Sequence, residues 1–528
     1  MNALLTLGLP AIRPELYLCI AGLFLLLYGA YKAPKANVTL VLVSVLILAL
    51  SGFLAYDGGT IPQVIFSGMF VSNAFTVTVK LLIVAASIMA LMLATDWLSS
   101  GEGRPFEYAV LVIFATLGML LMVSSGNLLA LYMSLEMMSL SLYVLAGFDR
   151  DDKRSAEAGL KYFVLGSLAS GMILFGASLV YGFAGTIDFA ALGTLFVQSA
   201  EVSRAIVVGM ILVMVGFCFK ISAAPFHMWA PDVYQGAPTP VTAFFATAPK
   251  VAAFALFARL LYEPFAALHV QWQQIVIAAS LLSMVVGALA AIMQTDIKRL
   301  LAYSSIGHAG FILLGLSSHS QAGVQAMLVY LVLYVFMSVG MFGCVLIAGR
   351  EQIKDFSGLA KTHPLLAAAI AAFMFSMAGI PPLSGFFGKM VVILAAINAG
   401  FFWLAVAAVI TSVIGAYYYI KIVKIMYFDE AKESLDKIVF PELRLLMAAS
   451  ALILTVFVFY PNIVMDWSAR ASTLNSAVMA VVCLRSGSLA EPDPLARATY
   501  IAGHATAWTI GWSLWILAAV SLTGFYAW

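Results

Sequence analysis

Apolar runs of about 20 residues follow one another along almost the whole chain, separated by short polar connections. Lipid offers no partner to a backbone N–H or C=O, so a run of this length crosses a bilayer as a helix that satisfies its own backbone. About fourteen spans can be drawn, near residues 15–32, 36–56, 70–97, 106–124, 126–148, 155–184, 202–234, 239–262, 270–293, 299–316, 322–349, 364–399, 401–428 and 443–460, with one further apolar run in the tail. The seventh and twelfth are interrupted. The expected fold class is therefore all-α, a polytopic membrane protein with the lipid bilayer as its solvent. Composition agrees, since only 10% of residues are charged and 63% are hydrophobic, whereas a soluble protein keeps roughly a quarter charged. No basic patch points to nucleic acid. Cys19, Cys218, Cys344 and Cys483 lie far apart with no CxxC pair, which indicates neither an iron–sulfur cluster nor a structural zinc. The first basic residue is Arg13 and no small-residue cleavage site follows the first apolar run, so that run is expected to stay as a membrane helix.

The connections alternate in charge. Those after the first, third, fifth, ninth, eleventh and thirteenth spans collect most of the basic residues, among them Lys32, Arg104, Arg154, Lys298, Arg299, Arg350 and Lys432. The opposite ones hold little beyond Arg204 and Arg259. Positive loops stay in the cytoplasm, which puts the N-terminus on the far, periplasmic side.

The two interruptions resemble each other. The seventh span runs through Lys220 into Pro225, and the twelfth breaks at Gly379-Ile380-Pro381-Pro382 ahead of Lys389. Proline frees the carbonyl four residues before it, and non-helical backbone at membrane depth is tolerated only inside protein or along a wet cavity. The breaks lie five spans apart, each beside a lysine. That spacing suggests two repeats, spans 4–8 and 9–13, with an ion or substrate pathway between them; the plainer reading is two ordinary kinks. The chain then divides into 1–105, the repeats 106–262 and 263–428, a segment 429–483 and an extension 484–528.

Most charges sit in connections, but Glu136, Lys220, Lys250 and Lys389 do not. Each costs roughly 2.5–3.5 kcal/mol at a helix centre, and four unpaired would cost on the order of 10 kcal/mol. They must be paired, hydrated or partly neutral. Chains of titratable groups inside a membrane mark ion or proton routes. A structural ion pair of Glu136 with one lysine would account for only two of the four. Burial disfavours a charged lysine and a nearby carboxylate restores it, so a Glu136–Lys220 pair could load and unload a proton. His308 could extend the relay or simply pack. Lys80 reads as a snorkelling lysine or as a further member of the relay, Lys161 as interfacial or as reaching inward, and His227 as a cap for backbone groups freed by the seventh-span break.

The run KISAAPFHMWAPDVYQGAPTPV at 220–241, followed by Lys250, resembles the broken helix 7 and helix 8 of the antiporter-like membrane subunits of respiratory complex I, the NADH-quinone oxidoreductase. GLKYFVLGSLASGMILFGASLVYG at 159–182, TDIKRLLAYSSIGHAGFILLG at 295–315 and AGIPPLSGFFGK at 378–389 resemble the subunit N branch of that family. The resemblance covers about residues 10–480. It implies fourteen helices with two inverted repeats and a proton-translocating role, as one subunit of a translocase whose complex uses NADH and quinone. It implies no cofactor or redox centre in this chain. Glu136, Lys220, Lys250 and Lys389 match the family's helix 5, 7, 8 and 12 positions, and lysine at 389 favours branch N over M, which carries glutamate there. Implied partners are other membrane subunits of the complex, M and K among them, with coupling to the quinone pool, in a bacterial inner membrane. Family members end soon after helix 14; the apolar run 498–528 has room for a fifteenth helix, to which no family function transfers. The alternatives are a cation/proton antiporter subunit of the same fold and a structural membrane subunit.

Overall fold

The computed structural model describes residues 9–32, 38–58, 62–99, 106–199, 201–430 and 441–472. The extension 484–528, with Cys483 before it, lies outside the described residues. The spans are α1 (Leu9–Lys32), α2 (Val38–Gly58), α3 (Ala74–Ser99), α4 (Glu107–Ser124), α5 (Leu128–Ala146), α6 (Lys153–Ala184), α9 (His269–Ile292), α10 (Ile297–Ser317), α11 (Gln321–Ala348) and α13 (Phe402–Phe428), with α8 (Thr239–Tyr262) central. These eleven are each long and apolar enough to cross a membrane. α14 (Pro441–Phe459) turns by 86° into Asn462–Ala471. The other two are broken: α7a (Arg204–Lys220) with α7b (Trp229–Gly236), and α12a (Pro364–Ala378) with α12b (Ser384–Asn398). Among the described residues eleven helices, or twelve with the bent α14, are long and apolar enough to span; counting broken α7 and α12 as one span each gives the fourteen the sequence suggests.

Polar residues between the apolar runs start the helices. Side chains of Asn127, Asp152, Asp296 and Ser320 accept from free backbone N–H groups at the heads of α5, α6, α10 and α11, which supplies partners the first helical turn lacks. One boundary differs from the sequence reading. Phe70–Ser72 is a strand paired with Gln63–Ile65, and α3 begins only after Asn73. Asn73 Oδ1 accepts from Thr76 N at 2.9 Å, so a local cap sets the start where hydropathy alone does not.

Each five-helix stretch, α4–α8 and α9–α13, carries its break in the fourth member. Close crossings hold neighbours together. Gly176 of α6 and Gly209 of α7a face each other, and a Cβ on either would lie 2.5–2.7 Å from the other's carbonyl oxygen. Small residues permit such approach where lipid gives helices no hydrophobic drive to associate. From Pro240 to Tyr262 every residue of α8 is buried, whereas α1, α2, α6 and α13 keep apolar residues such as Leu27, Leu46, Leu168 and Val413 on the outside.

Arg259, grouped above with the loop charges, instead lies inside α8 at 1% exposure. Its guanidinium forks onto Glu263, one turn on, at 2.8 and 2.7 Å. Its Nη1 donates to the carbonyls of Val123 and Ser125 at 2.7 Å each, which closes the C-terminal end of α4. A buried charge is tolerated when it is paired and hydrogen-bonded on all sides, and loop-charge counting cannot see that.

Candidate functional site

Lys220 is the last residue of α7a, and the chain then leaves helical geometry until Trp229. Its Nζ donates to Ser139 Oγ at 2.8 Å and to Tyr143 Oη at 3.2 Å. Glu136, Ser139 and Tyr143 follow one another at i, i+3 and i+7, which places them on one face of α5. The expected Glu136–Lys220 contact pair is not formed, because the ammonium lies against the hydroxyls further along that face. Glu136 Oε1 is buried without a hydrogen-bond partner.

Lys250 continues the line. Its Nζ donates to Ser222 Oγ at 2.8 Å and also to Ser305 Oγ. Ser222 belongs to the α7 break and has φ +55°, a left-handed conformation that a residue with a Cβ adopts only when its surroundings impose it. Its Oγ also donates to the Ile221 carbonyl at 2.7 Å, which is the carbonyl freed four residues before Pro225. Ser305, on α10, is hydrogen-bonded to Tyr334 of α11 at 2.6 Å. Lys250 thus bridges the first five-helix stretch to the second. α8 is itself kinked at Thr247 (φ −117°, ψ −94°), three residues before the lysine, a feature the hydropathy pattern does not reveal.

His308 stands one turn after Ser304 and Ser305. Its Nδ1 is 2.8 Å from Tyr330 Oη and its Nε2 is 3.3 Å from Tyr419 Oη, and Tyr419 is bonded in turn to Ser304. A neutral imidazole has one donor and one acceptor, and a hydroxyl serves as either, so both tautomers are accommodated. Lys389 donates to the Ala378 carbonyl at 2.8 Å and to Ser412 Oγ at 2.9 Å. Ala378 O is the group released by Pro382 at the α12 break. Gly379 caps α12a with φ +84°, and a Cβ there would lie 2.9 Å from Lys389 Cδ. Glycine serves both the turn and the lysine. Lys220, Lys250, His308 and Lys389 are 8%, 3%, 4% and 7% exposed, so each is held inside protein.

The remaining candidates fall elsewhere. Lys80 does not snorkel: it is 1% exposed and paired with Glu15 at 2.6 Å, because Glu15 of α1 faces it inside the N-terminal bundle. His227 Nδ1 has no partner, and the ring's backbone contact is to Pro225 in the α7 break. Lys161 is part-exposed and bonds Glu157 at 2.7 Å and Asp232 at 2.8 Å. Asp232 also takes Arg299 at 2.6 Å, which ties α6, α7b and α10 together. Lys298, a loop charge by sequence, is 4% exposed in its side chain and paired with Glu351 at 2.6 Å. Sequence reasoning missed Ser139, Tyr143, Ser222, Ser304, Ser305, Tyr330, Tyr334, Ser412 and Tyr419. For four of them a signal existed, since Ser139 and Tyr143 share the Glu136 face and Ser304 and Ser305 lie one turn from His308.

Two proline-broken helices with lysines at the breaks, inside a fourteen-span bundle, define an antiporter-like membrane subunit. The family described as NADH:quinone oxidoreductase/Mrp antiporter, transmembrane, matches residues 125–415. NADH-quinone oxidoreductase subunit N of Rhodospirillum rubrum is 49% identical over 467 residues, covering 87% of this chain and 96% of that one. A chain of respiratory complex I from Thermus thermophilus superposes with a TM-score of 0.74 at 33% identity, covering 86% of this chain and 99% of that one. A chain of the Mrp complex from Dietzia shares the fold, with a TM-score of 0.79 at 22% identity over 90% of this chain and 99% of its own. The chain belongs to the NADH-quinone oxidoreductase subunit N family.

Proposed function

We propose that this chain is a proton-translocating membrane subunit of an NADH-quinone oxidoreductase, with Glu136, Lys220, Lys250, His308 and Lys389 as its relay. One observation carries the assignment of residues. Where this protein buries a charge for structure, it pairs it with an acid, as in Lys80–Glu15 and Arg259–Glu263. Lys220, Lys250 and Lys389 are instead held by serine and tyrosine hydroxyls and one backbone carbonyl, and among the described residues none of them makes an ion pair. A hydroxyl can accept from an ammonium or donate to an amine, so these lysines keep partners in either protonation state. An acid would hold them charged.

In this reading Glu136 acts through space on Lys220, and the proton passes through Lys250 and the His308 cluster to Lys389. NADH and quinone react elsewhere in the complex, and this chain contributes no cofactor site. Its neighbours are other membrane subunits of the complex, M and K among them. The divisions 1–105, 106–262, 263–428 and 429–483 are its units, and the N-terminus faces the periplasm of a bacterial inner membrane. A tagged chain should co-purify with flavin and iron–sulfur subunits. Sodium-dependent transport without NADH, with no such subunits retained, would reassign it as a cation/proton antiporter subunit. For orientation, a reporter fused after Arg154 should lie in the cytoplasm and one between residues 188 and 201 on the far side; the reversed pair would overturn the assigned topology.

A further inference from the structure

Between α10, α12b and α13 lies a cavity of about 20 Å³ whose walls include Ser304, His308, Lys389, Ser412, Gly415 and Tyr419. A buried water needs about 10–15 Å³ by this measure and two to four polar partners. The partners are present. A charged Lys389 has three N–H donors, and the Ala378 carbonyl and Ser412 take two of them. Across the void the Tyr419 hydroxyl is hydrogen-bonded to Ser304 and lies 3.3 Å from His308 Nε2, which leaves one of its lone pairs to accept from a further donor. Gly415 forms part of the wall without a geometric reason for being glycine. It lies within the α13 helix, and a Cβ built on it would touch only the ring and hydroxyl of Tyr418, at 3.7 Å or beyond. Alanine is also the better helix former.

We propose that Gly415 is a positioning residue for proton transfer, its missing side chain keeping room for one water that joins the His308–Tyr419 pair to Lys389. Without it, no hydrogen-bonded path between His308 and Lys389 exists among the described contacts. The water would accept from the lysine and donate to the remaining lone pair of the Tyr419 hydroxyl, so the proton moves by exchange along the bonds with no net chemistry. The inference rests on the relay reading above.

The test fills the void without replacing a polar group. In the assembled complex, reconstituted in vesicles, Gly415→Ala should leave native-gel assembly intact and lower proton pumping about a hundredfold, the low end of what a positioned proton transfer contributes. Gly415→Ser should recover much of that loss, because its hydroxyl stands where the water stood; a purely steric role predicts serine to be as harmful as alanine. Gly171→Ala, on α6 with nothing within 4 Å of its new methyl, should pump as wild type. If Gly415→Ala fails to assemble, Gly307→Ala fills the same cavity from α10, where its Cβ would meet only Gly287 Cα at 3.8 Å when Gly287 is unchanged, and it must show the same loss. Wild-type pumping by either filled variant, alongside lost pumping in Lys389→Met, overturns the water site alone. Wild-type pumping in Lys389→Met as well overturns the relay reading beneath it.

Discussion

Ser222 and Lys250 stand on different segments, one in the α7 break and one in α8, and are joined by a hydrogen bond of 2.8 Å. The serine pays for this with a left-handed φ of +55°, a strain of order 1–3 kcal/mol that persists only when the surroundings fix it. Its hydroxyl is then aimed at the lysine that bridges the two five-helix stretches. Ser222→Ala should lower pumping about tenfold, the scale of one hydrogen bond to a charged group, with assembly retained. Ser222→Gly relaxes the backbone, so it should assemble at least as well and still pump poorly. Normal pumping by the glycine variant would show that the hydroxyl is incidental.

The α5 ladder makes a second prediction. Tyr143→Phe removes one acceptor of the Lys220 ammonium and leaves Ser139, so the lysine should shift towards the Glu136 carboxylate and release its proton less readily. Pumping should fall in Tyr143→Phe and more severely in Glu136→Gln. Because both changes act on one lysine, the double variant should fall short of the product of the two effects. A double-mutant cycle on initial pumping rates checks this; strict additivity would separate Tyr143 from the switch.

How far the site could be read from sequence depended on what each residue announces. A lysine in an apolar run is visible because lipid makes it expensive, so Lys220, Lys250 and Lys389 stand out unaided. Pro225 and Pro382 mark the breaks because they free the carbonyls of Ile221 and Ala378. The hydroxyl partners were silent: serine and tyrosine are ordinary inside membrane helices, and only the packing of α5, α10, α11 and α13 shows which of them meet a lysine. Lys80 was misjudged for the same reason, since its acid Glu15 lies on another helix, 65 residues earlier in the chain.

Gly379 gives a contrast with Gly349. Both have positive φ, at +84° and +60°, but a Cβ on Gly379 meets Lys389 whereas one on Gly349 meets nothing within 4 Å. Alanine at either costs about 1–2 kcal/mol in backbone strain. Only Gly379→Ala should also displace the lysine. Both variants should lose some thermal stability, and pumping per assembled complex should drop in Gly379→Ala alone. An equal drop in both would make the effect one of folding.

The Glu15–Lys80 pair predicts stability rather than transport. Lys80→Met leaves Glu15 buried without its charge partner, which costs about 3–5 kcal/mol. Assembly or melting temperature should fall sharply in each single variant and recover in the Glu15→Leu, Lys80→Met double. Pumping per assembled complex should be unaffected in the double variant. A specific pumping loss in a well-assembled double would move this pair into the relay.

Proton transport per NADH oxidised, measured in vesicles carrying the assembled complex with Lys220→Met, tests the central claim most directly. Crossing 100 mV costs a proton about 2.3 kcal/mol. Methionine keeps the length and apolar stem of the lysine but cannot carry a proton. Most proton pumping and much of the coupled NADH–quinone turnover should be lost while native gels show the full complex. Wild-type pumping by a fully assembled Lys220→Met complex would contradict the account.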